Sequence, residues 1–107
     1  MFNSQLQCAL EAIVTGIVKY SDPDRVLLFG SATRPGSTVV NDLDFLVIVP
    51  DSNPPSKVAD ILNLKIRNKP MPCDFLVATP KMLKKADGDL NSIYNIAMHE
   101  GREVYAR

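Results

Sequence analysis

The chain is 107 residues long, with twelve Lys and Arg set against twelve Asp and Glu, and with 46% hydrophobic and 22% charged residues. That length suits one domain of roughly 100 to 200 residues, expected to span 1–107, and the composition excludes a disordered, fibrous or low-complexity chain. A formal net charge of zero gives no bulk attraction to a polyanion, so no direct binding to nucleic acid is expected.

The N-terminal residues Met1 to Gln5 carry neither a basic region nor an apolar stretch of signal-peptide length, which leads to the expectation of a cytoplasmic protein. Leu6, Leu10, Ile13, Val14 and Ile17 then recur at spacings of three and four, predicting an amphipathic helix over roughly 3 to 20. Ser21-Asp22-Pro23-Asp24 stops it. Val26 to Phe29 is short, apolar and bounded by turn formers, so it reads as a buried strand running into Gly30-Ser31. Ala32 to Asn41 contains Pro35, Gly36, Ser37 and Thr38 and reads as an irregular loop.

Asp42 to Val49 is β-branched and apolar after its opening carboxylates and is closed by Pro50, which predicts a central strand. Its apolar core, Phe45 to Val49, is the longest such run in the chain; a membrane-spanning helix needs about 20 residues, so no membrane segment is expected. Pro54-Pro55-Ser56 gives a rigid entry to a second helix carrying Val58, Ile61, Leu62 and Ile66. Cys73 to Ala78 predicts a third strand, Lys81 to Lys85 a short helix, and Asp89 the cap of a last helix through Leu90, Ile93, Ile96 and Ala97 that ends at Gly101. The predicted order is α-β-loop-β-α-β-α. Cys8 and Cys73 are expected to be buried free thiols, and with a single His they cannot build a Cys/His zinc site.

Each predicted strand has something polar at one end: Gly30-Ser31 after the first, Asp42 and Asp44 opening the second, Asp74 near the start of the third. Side chains at i and i+2 of a strand share a face, so Asp42 and Asp44 project together and repel unless a cation lies between them. Hard oxygen donors of this kind suit Mg²⁺ or Mn²⁺. A third carboxylate from a neighbouring strand would complete a two-metal clamp of the sort that stabilises the attacking and leaving oxygens of an in-line displacement. Taken singly, an Asp-x-Asp or a Gly-Ser turn is a common surface feature; their combination is what carries information.

Gly30-Ser31, ten intervening residues and then Asp42-Leu43-Asp44 form G-S-x10-D-x-D, followed by an apolar strand and by Asp74 in a later one. This pattern resembles the DNA polymerase β nucleotidyltransferase superfamily, in particular its minimal nucleotidyltransferases (MNT), and Glu100-Gly101-Arg102-Glu103-Val104-Tyr105 is similar to the Glu-Gly-x-x-Leu-Tyr ending frequent among them. The resemblance implies an α/β (α+β) nucleotidyltransferase fold, a small mixed β-sheet packed against helices. It further implies that Asp42, Asp44 and Asp74 are the catalytic and metal-binding carboxylates for two Mg²⁺ ions, with Mn²⁺ as a substitute, Asp74 also serving as the base for the attacking hydroxyl. Gly30 and Ser31 would hold the β and γ phosphates of ATP or another nucleoside triphosphate, with Arg34 either a further triphosphate contact or a solvated loop residue.

The small-family loop reads Gly-Ser-Arg-Ala-Arg-Gly, whereas this chain has Gly30-Ser31-Ala32-Thr33-Arg34-Pro35-Gly36, and Asn41 stands where Ser or Thr often precedes the first aspartate. All three carboxylates are intact. The activity implied is transfer of a nucleoside monophosphate, most simply AMP from ATP, to a hydroxyl acceptor. The partner implied is a HEPN-domain protein, a tyrosine of which is modified within a toxin–antitoxin pair. The alternative is an antitoxin that neutralises its partner by occlusion, and transfer to an aminoglycoside is a third reading. Homo-oligomerisation is left open. The methionines Met71, Met82 and Met98 read as packing residues, His99 as a surface or capping group, and Lys81, Lys84 and Lys85 as a solvated helix face.

Overall fold

The computed structural model describes residues 4–30, 42–67, 69 and 71–107. It is a small mixed α+β domain, with four helices and a four-stranded mixed sheet among the described residues. Helix α1 (Ser4–Ser21) leads into strand β1 (Arg25–Phe29), and strand β2 (Leu43–Ile48), helix α2 (Pro55–Lys65) and strand β3 (Cys73–Ala78) follow. Helices α3 (Pro80–Ala86) and α4 (Ile93–Glu100) precede a last strand, β4 (Arg102–Ala106). The sheet order is β3-β2-β1-β4, with β2 and β3 parallel and the other two pairs antiparallel.

Local chemistry sets the boundaries. Helix α1 ends where Asp22 takes a left-handed conformation (φ 46°) and its N–H returns to the Val18 carbonyl at 3.0 Å, the role glycine usually fills after a helix. Pro55 occupies the first turn of α2, where its missing N–H costs nothing. The Thr79 hydroxyl caps α3 by accepting from the Met82 N–H at 3.3 Å.

The sheet separates two apolar clusters. Leu43, Phe45 and Val47 face α1 and α2 together with Val26, Leu28, Phe75 and Val77, and the rings of Phe45 and Phe75 stack with centroids 5.9 Å apart. Leu27, Phe29, Leu46, Ile48 and Ala78 face the other way, where Ala97 of α4 and the half-buried Met82 of α3 cover them. This alternation is the period of two that a strand requires. It fixes which face each intervening carboxylate occupies.

Three expectations need correction. Asp89 does not cap the last helix: its carboxylate accepts from the Asn91 N–H at 3.0 Å in a local turn, and the cap is Ser92, whose hydroxyl accepts from Tyr94 N–H at 3.3 Å. Leu90 therefore lies outside the helix and is 85% exposed. Strand β4 is missing from the predicted order because Arg102-Glu103-Val104-Tyr105-Ala106 is short and opens on two charged residues; it is held by pairing with β1 across a register shift between Val26 and Leu27. Cys8 is exposed, whereas Cys73 is buried. The predicted loop at 32–41 lies outside the described residues.

No helix among the described residues is long and apolar enough to cross a membrane. Leu62 is fully buried between α2 and the sheet, so Leu62→Ala is expected to cost roughly 2–5 kcal/mol through lost burial and a cavity. Leu90→Ser, at an exposed position, should stay within about 0.5 kcal/mol. Urea denaturation of the two variants checks the contrast.

Candidate metal centre

Because β2 and β3 are parallel and in register, Asp44 stands directly beside Asp74. Both occupy the face of Leu46, Ile48, Leu76 and Ala78, the side of α3 and α4. Asp42, two residues before Asp44, joins them at the head of β2. One carboxylate oxygen from each of Asp42, Asp44 and Asp74 lies within 4.8 Å of the other two. Asp42 and Asp44 are half-buried and Asp74 is exposed.

Antiparallel pairing brings the end of β1 to the same place, with Phe29 opposite Asp44. The next residue, Gly30, has φ 83°, and a Cβ built there would collide with the Asp44 carboxylate. Glycine is thus required twice, for the backbone conformation and for the close approach of the carboxylate. Of the sequence-expected site, Asp42, Asp44, Asp74 and Gly30 meet at one end of the sheet. Ser31 and Arg34 lie outside the described residues.

A cleft of about 400 Å³ opens at this end, with Asp44 and Asp74 on its wall beside Phe29, Asn63, Phe75, Leu76 and Ile93. Asn63 and Ile93 carried no signal in the sequence, because they reach the cleft from α2 and α4 through tertiary packing rather than through any local motif. The Lys69 ammonium rests over the ring of Phe75, a residue of the cleft wall, 5.5 Å from the centroid. Lys81, Lys84 and Lys85 are exposed on α3, and His99 is exposed with Nδ1 2.9 Å from the Asn95 carbonyl. Tyr94 and Tyr105 are half-buried against the two apolar clusters.

Electrostatics near the cluster register at Cys73. Burial pushes its thiol above the ordinary range, the Lys69 ammonium pulls the other way, and the carboxylates of Asp74, Asp44 and Asp42 add to the rise. The donor set fits a hard divalent ion: three carboxylates from two strands, close enough to share one or two cations and to repel without them. No family model matches the chain, and no curated protein matches it significantly.

Two outcomes follow from this geometry. Gly30→Ala should force the Asp44 carboxylate away, cost about 1–3 kcal/mol for the strained backbone, and weaken Mn²⁺ binding at least tenfold, read by titration of free Mn²⁺ in electron paramagnetic resonance. Iodoacetamide at neutral pH should label the exposed Cys8 first. A raised pKa leaves Cys73 with less thiolate than an ordinary thiol at any given pH, so its labelling should climb only on the alkaline side of the usual thiol range, as mass spectrometry of time points would report.

Proposed function

We propose that this protein is a nucleotidyltransferase of the minimal type, transferring a nucleoside monophosphate, most simply AMP from ATP, to a hydroxyl acceptor. The observation that carries the reading is the convergence of Asp42, Asp44 and Asp74 within 4.8 Å, beside a glycine that packs directly on one of them. The resemblance of G-S-x10-D-x-D to that superfamily supports it independently.

Asp42, Asp44 and Asp74 would hold two Mg²⁺ ions, or Mn²⁺ in their place. Such ions supply compensation for phosphate charge and a lowered pKa for the attacking hydroxyl. The chain's own groups account for the remainder. Asp74 is the exposed member of the cluster, placed to receive the acceptor's proton as its oxygen bonds to the α-phosphorus. The bond from that phosphorus to the bridging oxygen breaks, and pyrophosphate leaves with the electron pair. Gly30 and Ser31 would bind the departing phosphates, and the apolar groups of Phe29, Leu76 and Ile93 border the space that the acceptor would enter.

The proposed acceptor is a tyrosine hydroxyl on a HEPN-type partner protein within a cytoplasmic toxin–antitoxin pair. Exposed Leu90, Ile93 and Ile96, with Ile93 on the cleft wall, favour a protein surface docking beside the carboxylates. Neutralisation by occlusion alone uses that same apolar surface and is the competing reading.

Labelled ATP and Mg²⁺, supplied with and without the partner, separate the two. Transfer is expected to depend on the partner and to fall by at least about a hundredfold in the Asp42→Asn, Asp44→Asn double variant. Partner neutralisation without label, unchanged in that variant, would establish occlusion instead.

A further inference from the structure

The described residues that line the cleft are two carboxylates, one amide and apolar groups, and none of them is cationic. Lys69, in the connection from α2 to β3, places its ammonium over the ring of Phe75, and Phe75 lines the same cleft as Asp44 and Asp74. The ammonium makes no ion pair with any described residue, and the remaining residues, 1–3, 31–41, 68 and 70, contain no Asp or Glu. The ammonium rests on an aromatic face, an arrangement worth about 0.5–1 kcal/mol at an exposed site and therefore easily exchanged for a stronger partner.

We infer that Lys69 is a nucleotide-binding residue, its ammonium moving from the Phe75 ring to a phosphoryl oxygen of the bound nucleoside triphosphate. The inference rests on the nucleotidyltransferase reading of the site. Its physical basis is charge balance: three carboxylates cancel most of the positive charge of two divalent ions, while the triphosphate brings several negative charges into a partly desolvated cleft. A further cation is needed there, and a lysine supplies a mobile point charge suited to phosphate. The resting contact with Phe75 keeps the ammonium close without neutralising the carboxylates that must bind metal.

The test measures binding rather than turnover. The affinity of α,β-methylene-ATP is determined in the presence of Mn²⁺, and that of Mn²⁺ alone is determined separately, for the wild type, Lys69→Met and Lys69→Arg. Lys69→Met should weaken the nucleotide analogue about tenfold or more, the loss typical of one charge-assisted hydrogen bond, and Lys69→Arg should remain within about threefold of the wild type, since the charge is kept. Mn²⁺ alone should bind Lys69→Met no more weakly than wild type, because removing a nearby cation can only favour a second one. Nucleotide affinity unchanged in Lys69→Met, or lost in parallel with Mn²⁺ affinity, overturns the assignment and leaves Lys69 a packing residue, with the nucleotidyltransferase reading intact. A wild-type protein that binds Mn²⁺ but no nucleotide overturns that reading itself and the lysine's role with it.

Discussion

Holding three carboxylates within 4.8 Å of one another works against the stability of the fold, and much of the structure can be understood as what makes that tolerable. Like charges at such separations repel, so flexible segments carrying them would drift apart. Here two of the three ride on adjacent parallel strands in register, Asp44 beside Asp74, and the third is two residues from its neighbour. Below them lie Leu46, Ile48, Leu76 and Ala78, wedged against α3 and α4. The hydrophobic sheet therefore acts as a clamp whose cohesion exceeds the repulsion at its rim.

The two faces of the sheet contribute differently to the site. The face toward α1 and α2 is the larger apolar mass, with Phe45 and Phe75 stacked at its centre, and it anchors the backbone of β2 and β3. The opposite face is thinner and is left open at its upper end, where Ile93 and Phe29 border the carboxylates. Rigidity comes from one side and access from the other. Phe75 connects them: its ring is buried in the larger cluster, yet it lines the cleft and carries the Lys69 ammonium.

How much of this was legible in the sequence depended on whether the signal was local. Strand β3 is found where the apolar run at 73–78 put it, and α1 and α2 follow from period and proline placement, because burial of one face dominates each of them. The shared face of Asp42 and Asp44 was legible from the i, i+2 spacing, whereas the place of Asp74 beside them depends on the parallel pairing of β2 with β3. The last strand was not. Arg102, Glu103 and Tyr105 have no apolar alternation to reveal them, and only the hydrogen-bonding demand of β1 makes them a strand. Capping at Ser92 rather than Asp89 was a contest between two good cap residues three positions apart, decided by where Ala97 must sit on the sheet. Asn63 and Ile93 were invisible for a different reason: their relation to the carboxylates exists only once α2 and α4 have docked.

The register shift in β4 bears on how the molecule meets others of its kind. Val104 and Tyr105 both turn toward the larger apolar cluster, which breaks the even spacing of amides along that outer strand, and Glu103 is tied sideways to Arg25 at 2.6 Å. A foreign strand approaching this margin would find donors and acceptors out of step and a charged pair in its way, which is how natural sheets refuse lateral growth. The same irregularity that hid the strand from pattern reading thus helps to guard the folded molecule against fibrillar self-association.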